Sequence, residues 1–124
     1  MKLNRIDIFS VPVADQARAK AFYTGVLGFE VIRDEPMGPD QRWIQLAPPG
    51  AETSITLVTW FETMPPGSLQ GMVLNTDDVE AAHAELGRRG VVPSDITHAP
   101  WGRYATFTDP DGNGWVLVEA AAAR

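Results

Sequence analysis

The stretch VPVADQARAKAFYTGVLGFEV, residues 11–31, passes through strand, helix and strand again. A β-branched run, Ile6–Val13, ends in it with Pro and Val. Asp15 then stands where a helix N-cap is expected. Ala19, Phe22, Tyr23 and Val26 follow at i, i+3, i+4 and i+7, the stripe of an amphipathic helix. Gly28 stops that helix, and Phe29-Glu30-Val31-Ile32 resumes as a strand. Beyond a polar loop, Asp34–Gln41, lie Arg42–Leu46, a turn at Ala47-Pro48-Pro49-Gly50, and the strand Ser54–Trp60.

The same order returns. Gly71–Thr76 reads as a strand, and Asp77 or Asp78 caps a helix carrying Val79, Ala82, His83 and Leu86. Gly90 ends it, and Val91-Val92 follows. Then come Tyr104–Thr108, the turn Asp109-Pro110-Asp111-Gly112, and the strand Gly114–Glu119. Asp15 and Asp78 are 63 positions apart, and Pro48 and Pro110, like Gly50 and Gly112, are 62 apart. A near-constant offset across helix cap and hairpin turn marks a duplicated unit. One domain spanning 1–124 is expected, with a first module over about 4–60, a linker over 61–69 around Pro65-Pro66-Gly67, and a second module over about 70–120. One helix covers only one face of a small sheet. Two modules side by side predict an α+β fold: a curved mixed sheet, helices on its convex side and a trough on its concave side.

The composition narrows the function. The chain of 124 residues carries net charge −6 and no Cys. Phosphate backbones and anionic membranes are therefore poor partners, and no disulfide, thiolate nucleophile or Cys-ligated metal is possible. MKLNRIDIFS lacks the apolar core of a signal peptide, and no apolar run approaches a membrane span. A cytoplasmic location is expected.

Three stretches, residues 11–31, NTDDVEAAHAELGRRGV (75–91) and PWGRYATFTDPDGNGWVLVE (100–119), resemble the vicinal oxygen chelate superfamily, which includes glyoxalase I, extradiol dioxygenases and the fosfomycin- and bleomycin-resistance proteins. The resemblance implies a pair of βαβββ modules. In metal-using members, it implies His or Glu ligands from four strands on the concave face, holding a divalent Lewis acid. Carried onto this sequence, those positions fall on Ile8, Thr56, Gly71 and Val116. None is a usual metal ligand. A slip of one residue does not rescue the set, because side chains alternate across a strand: it supplies Asp7 but only Met72 and Leu117 elsewhere. Glu119 stands at an odd offset from Val116 and reads as a strand-end charge. No cofactor is expected, a divalent metal on relocated ligands being the alternative.

Parity from these positions predicts the trough lining: Ile8 and Ser10; Ser54, Thr56, Val58 and Trp60; Gly71, Val73 and Asn75; Val116 and Val118. The set is apolar with a few hydroxyls and one amide, which suits a small organic ligand. The opposite set, Phe9, Val11, Ile55, Leu57, Met72, Leu74, Trp115 and Leu117, is bulkier and should pack under the helices. Trp60 and Trp101 either stack on a ligand or line the rim of a dimer, and Arg103 stands beside Trp101. Trp43 is also a candidate for ligand stacking, with a rim or dimer contact the favoured reading. His83 falls on the stripe of the second helix as a packed, hydrogen-bonded residue. His98 is expected in a loop. The turn Asp109–Asn113 lacks the spacing of an EF-hand and reads as a hairpin turn.

The favoured reading is a homodimeric protein that binds a small aromatic or amphipathic molecule without metal or turnover, using Ile8, Ser10, Thr56, Val58, Trp60, Gly71, Val73, Asn75, Trp101, Arg103 and Val116. One alternative is a lyase- or dioxygenase-like enzyme with relocated ligands or acid/base chemistry from His98, Arg103 and Tyr104. Another is a dimeric accessory protein with a vestigial pocket.

Overall fold

Both capping aspartates act where the repeat places them. Asp15 accepts from Arg18 N at 3.1 Å and Asp78 from Ala81 N at 3.0 Å, opening α1 (Gln16–Gly25) and α2 (Val79–Arg88). The first helix ends as Gly28 turns the chain at φ +75°, with Leu27 N returning to Phe22 O and Phe29 N to Tyr23 O. Only glycine adopts that backbone without strain. The computed structural model describes residues 1–121. Around the helices it places β1 (Ile8–Pro12), β2 (Glu30–Pro36), β3 (Arg42–Ala47), β4 (Ser54–Val58), β5 (Met72–Asn75), β6 (Thr97–Ala99), β7 (Gly102–Thr108) and β8 (Gly114–Ala120).

Each module builds its own four-stranded mixed sheet. The first has the order β1-β4-β3-β2 and the second β5-β8-β7-β6. The β1–β4 and β5–β8 ladders are parallel and the rest antiparallel. Two elements differ from the sequence reading. The second strand runs on to Pro36, through a register shift between Val31 and Arg33. Val91-Val92 forms no strand, because Pro93 has no N–H for a ladder; the pairing starts only at Thr97. His98 therefore lies in the three-residue edge strand β6, paired with Arg103, and not in a loop.

Most of the bulky alternating set is buried as its parity requires, Phe9 excepted. Val11, Ile44, Leu46, Ile55 and Leu57 of the first sheet join Phe107, Trp115 and Leu117 of the second in one core with Ala19, Tyr23, Val79 and Leu86 of the helices. Both sheets contribute to this one core, with the helices packed on their own sheets. Phe29, beside the far edge strand β2, lies 6.2 Å from Trp115 in an edge-on aromatic contact. Had the sheets continued one another edge to edge through β1 and β5, five strand spacings of about 24 Å would separate them. The faces that carry the smaller, more polar set therefore point outward from the core, and a single chain does not close them over one hollow.

A buried turn locks the modules together. The Asp109 side chain, 4% exposed, accepts from Asp111 N and Asn113 N at 2.9 Å, Asn113 Nδ2 at 2.8 Å and the Tyr23 hydroxyl at 2.7 Å. Trp115 Nε1 donates to the same hydroxyl at 3.0 Å. Asn113 Nδ2 also donates to Pro12 O at 2.8 Å, and Leu69 N donates to Asn113 Oδ1 at 3.1 Å. The linker is pinned closely here: a Cβ at Gly67 would run into the Asp111 carbonyl. Burial, and then the Asp109 charge, push the Tyr23 phenol well above its ordinary pKa, so it remains a donor. Tyr23→Phe leaves a buried indole N–H without an acceptor and takes one donor from a buried carboxylate. It should destabilise the fold by about 2–3 kcal/mol, read as a lower urea midpoint. A loss below about 0.5 kcal/mol would contradict this account of the lock.

Candidate functional site

The outward face of the first sheet is set by alternation. Ile44, Leu46, Ile55 and Leu57 go to the core, so Trp43, Gln45, Ser54, Thr56 and Val58 point the other way. Ile8 and Ser10 of β1 join them, Ser10 opposite Thr56. Ser54 and Thr56 lie low in the central strand, 3% and 1% exposed. Three polar groups on this face form a relay: Trp43 Nε1 donates to Gln45 Oε1 at 3.2 Å, and Gln45 Nε2 donates to Ser54 Oγ at 2.8 Å.

The outward face of the second sheet is built in rows. Tyr104, Val118 and Asn75 stand side by side across β7, β8 and β5, and Thr106, Val116 and Val73 form the next row. Val73 is 62% exposed. Trp101, at the β6–β7 turn and 56% exposed, stacks on Tyr104 with ring centroids 5.2 Å apart and planes 15° apart. One face of the indole is thus supported, in the geometry that accepts a further flat ring.

The predicted lining residues divide between these two surfaces. Ile8, Ser10, Thr56 and Val58 belong to the first, and Gly71, Val73, Asn75 and Val116 to the second. Trp60 lies just past β4 with its ring 6.2 Å from Phe61. Arg103 belongs to neither surface. It lies on the α2 side of β7, donating to Glu119 Oε2 at 2.7 Å and to Glu80 at 3.1 Å. Glu119 is accordingly more than a strand-end charge: it also accepts from Val79 N at 3.0 Å, helping to cap α2. His83 Nε2 donates to Ser94 O at 2.8 Å, from the helix stripe. Sequence reasoning missed Gln45, and for Trp43 it favoured a rim or dimer contact over ligand stacking. Their signal was available in the alternation Trp43-x-Gln45 opposite Thr56.

An apolar-walled cavity of about 620 Å³ lies elsewhere. It opens at the seam between the sheets, and its walls include Phe9, Phe29, Ile55, Leu74 and Trp115. These belong to the core-facing set; of the predicted lining, Ser54 of β4, Val73 and Asn75 of edge strand β5, and Gly71 just before it border the cavity. Phe9 is 42% exposed at this seam and not packed under a helix as its parity predicts, because no helix reaches the β1 edge.

The profile of the glyoxalase/bleomycin resistance protein/dioxygenase superfamily matches residues 5–117. The chain belongs to that superfamily. It is 50% identical to TnmS3, an antibiotic binding protein from Streptomyces sp. CB03234, with 98% of this chain and 99% of that one covered and a TM-score of 0.93. A glyoxalase/bleomycin resistance protein from the same organism is 53% identical over 92% of this chain and 99% of its own, at TM-score 0.83. The uncharacterized protein YetH of Bacillus subtilis (strain 168) is 35% identical over 94% of this chain and 99% of its own length.

The donor set does not fit the metal of the superfamily's metal-using members. The positions implied for its ligands offer two hydrocarbons, one hydroxyl and one glycine. Among the described residues, no three His, Asp or Glu side chains gather within reach of one ion. Among the described residues, no helix is long and apolar enough to cross a membrane.

The ion pair beside the second sheet gives a pH test. The Arg103 hydrogen bonds, then the bond from Val79 N, hold the Glu119 carboxyl below its usual pKa. A carboxyl lowered in the folded state adds stability above its unfolded pKa and loses it as pH falls through the folded value. Glu119→Gln should therefore flatten part of the decline in urea midpoint between about pH 5 and pH 3. An unchanged acid limb would show that the pair adds nothing.

Proposed function

We propose that this protein captures a small aromatic or amphipathic molecule on the outward faces of its sheets, without a metal ion and without chemical turnover. The observation that carries the reading is the character of those faces. They present a stacked Trp101–Tyr104 pair, an amide–hydroxyl relay and aliphatic side chains where metal-using relatives need carboxylates and imidazoles. The similarity to a protein described as antibiotic binding supports a ligand of the antibiotic type. Such sites hold ligands by apolar burial and stacking, with a few placed polar groups fixing orientation.

Each outward face is half of a trough. The complete site forms when the first sheet of one copy lies opposite the second sheet of another, so the functional unit is a homodimer. The open edges of β1 and β5 and the exposure of Phe9 and Val73 at them support this arrangement, since open apolar edges seek partners. The seam cavity is the weaker candidate: its walls are almost wholly apolar, and its mouth lies at the edges a second copy would cover.

The enzymatic alternative lacks convergence. His98 is paired with Arg103, while Tyr104 points to the other side of the sheet, and the Arg103 guanidinium is committed to two carboxylates. No common reacting centre gathers them.

Protein dialysed against EDTA should quench its Trp fluorescence against a panel of aromatic antibiotics with the same dissociation constants as untreated protein. Dependence on added metal would overturn the reading. Val73→Asp places a charge on the apolar surface. It should convert dimer to monomer in sedimentation velocity and weaken ligand binding by about tenfold.

A further inference from the structure

Gln45 occupies an unusual position on the first outward face. Its neighbours fix which way round the amide lies. The indole Nε1–H of Trp43 is a donor only, so the group it meets at 3.2 Å is the carbonyl Oε1. The Nε2 group is thereby turned toward Ser54 Oγ, its acceptor at 2.8 Å. Ser54 takes one of the two N–H groups. The other has no protein acceptor among the described residues, and it lies in the plane of an amide held at both ends.

The surroundings of this free donor are selective. Beside it stand Thr56 and Ser10, whose hydroxyls adapt to donor or acceptor, and the aliphatic Ile8. Among the described residues, the charged side chains of the face are confined to edge strand β2, where Arg33 and Glu35 stand opposite Gln45 and Trp43. Gln45 is half-buried above the buried Ser54 and Thr56, and a site that offers a fixed N–H and no fixed acceptor disfavours a ligand lacking an oxygen to receive it. We infer, on the capture reading above, that Gln45 is the specificity-determining residue of the site, and that the ligand is a planar ring system carrying an acceptor oxygen such as a ring carbonyl. Trp43 is its positioning residue, acting through the orientation of the amide and not through contact with the oxygen.

The test uses two flat tricyclic probes that differ only at the bridging atom group, 9-fluorenone with a carbonyl and fluorene with a methylene. Binding is measured by equilibrium dialysis of the full chain. The expected result is a preference for fluorenone of about five- to tenfold, the worth of one neutral hydrogen bond. In Gln45→Met the ratio of the two affinities should fall below about twofold, whichever way the separate affinities move. In Trp43→Phe, which keeps both amide N–H groups but frees the amide to turn, the ratio should fall by about two- to threefold. Circular dichroism melts identify any variant that has lost its fold, and the remaining variant then decides. Equal binding of the two probes to the unmodified protein, or a preference that survives Gln45→Met, overturns the inference and leaves the capture reading standing. Binding of neither probe overturns both.

Discussion

The arrangement of the whole molecule depends on one buried carboxylate. Asp109 receives four hydrogen bonds, three from its own turn and one from Tyr23 in the other module. A carboxylate at 4% exposure is costly unless each of its acceptor positions is used. The turn therefore holds its shape only when α1 is docked on it, and α1 docks only when that hydroxyl finds the carboxylate. Asn113 extends the lock to the end of β1 and to the linker. Polar bonding here specifies a single relative placement of two modules that apolar burial alone would allow to slide.

That placement decides what can be a site. Because Tyr23, Phe29 and Trp115 pack together between the sheets, the helix-facing sides are consumed by the core, and the other sides are left as two surfaces that look away from each other. A duplicated module that could have wrapped its own trough instead presents two complementary halves. The amide relay lies on one and the aromatic stack on the other. A flat molecule held by both needs two copies of the chain, so on the proposed function dimerisation and binding are one event, and ligand adds to dimer stability by mass action.

Much of this was legible in the sequence. The offset between Asp15 and Asp78 revealed the duplication, and alternation sorted Ile55 and Leu57 from Ser54 and Thr56. Both signals are local: a cap is fixed by the next turn of helix, and parity by the neighbouring residue. The relation between the modules was not legible, because it rests on the Tyr23–Asp109 bond, 86 residues apart. The edge strand β6 was missed because three residues carry no period. Arg103 was misplaced because Trp101, two positions before it, lies in the β6–β7 turn, where strand alternation does not carry over. Gln45 escaped notice, and Trp43 was placed at a rim, for a related reason: only the contact between them fixes the amide.

Charge completes the account of the two surfaces. The close ion pairs of the molecule lie on the helix side or around it: Asp34 with Lys20 and Arg42 at 2.6 Å, Glu119 with Arg103, Asp111 with Arg18, and Glu85 with Arg88 and Arg89. Lys20 and then Arg42 hold the Asp34 carboxyl below its usual pKa, and Arg88 and Arg89 do the same for Glu85. These carboxylates are thus retained as anions by cations of the same scaffold. On the second outward face, the ladder residues from Gly71 to Asn75, Tyr104 to Thr108 and Gly114 to Val118 bring no charge at all. A surface so cleared has little to offer a metal or a strongly ionised substrate, whose desolvation it could not repay. It suits a neutral ring, for which stacking and one oriented hydrogen bond are sufficient grip. The same separation explains how a net charge of −6 coexists with an uncharged second outward face, while on the first face Arg33 and Glu35 stand on edge strand β2.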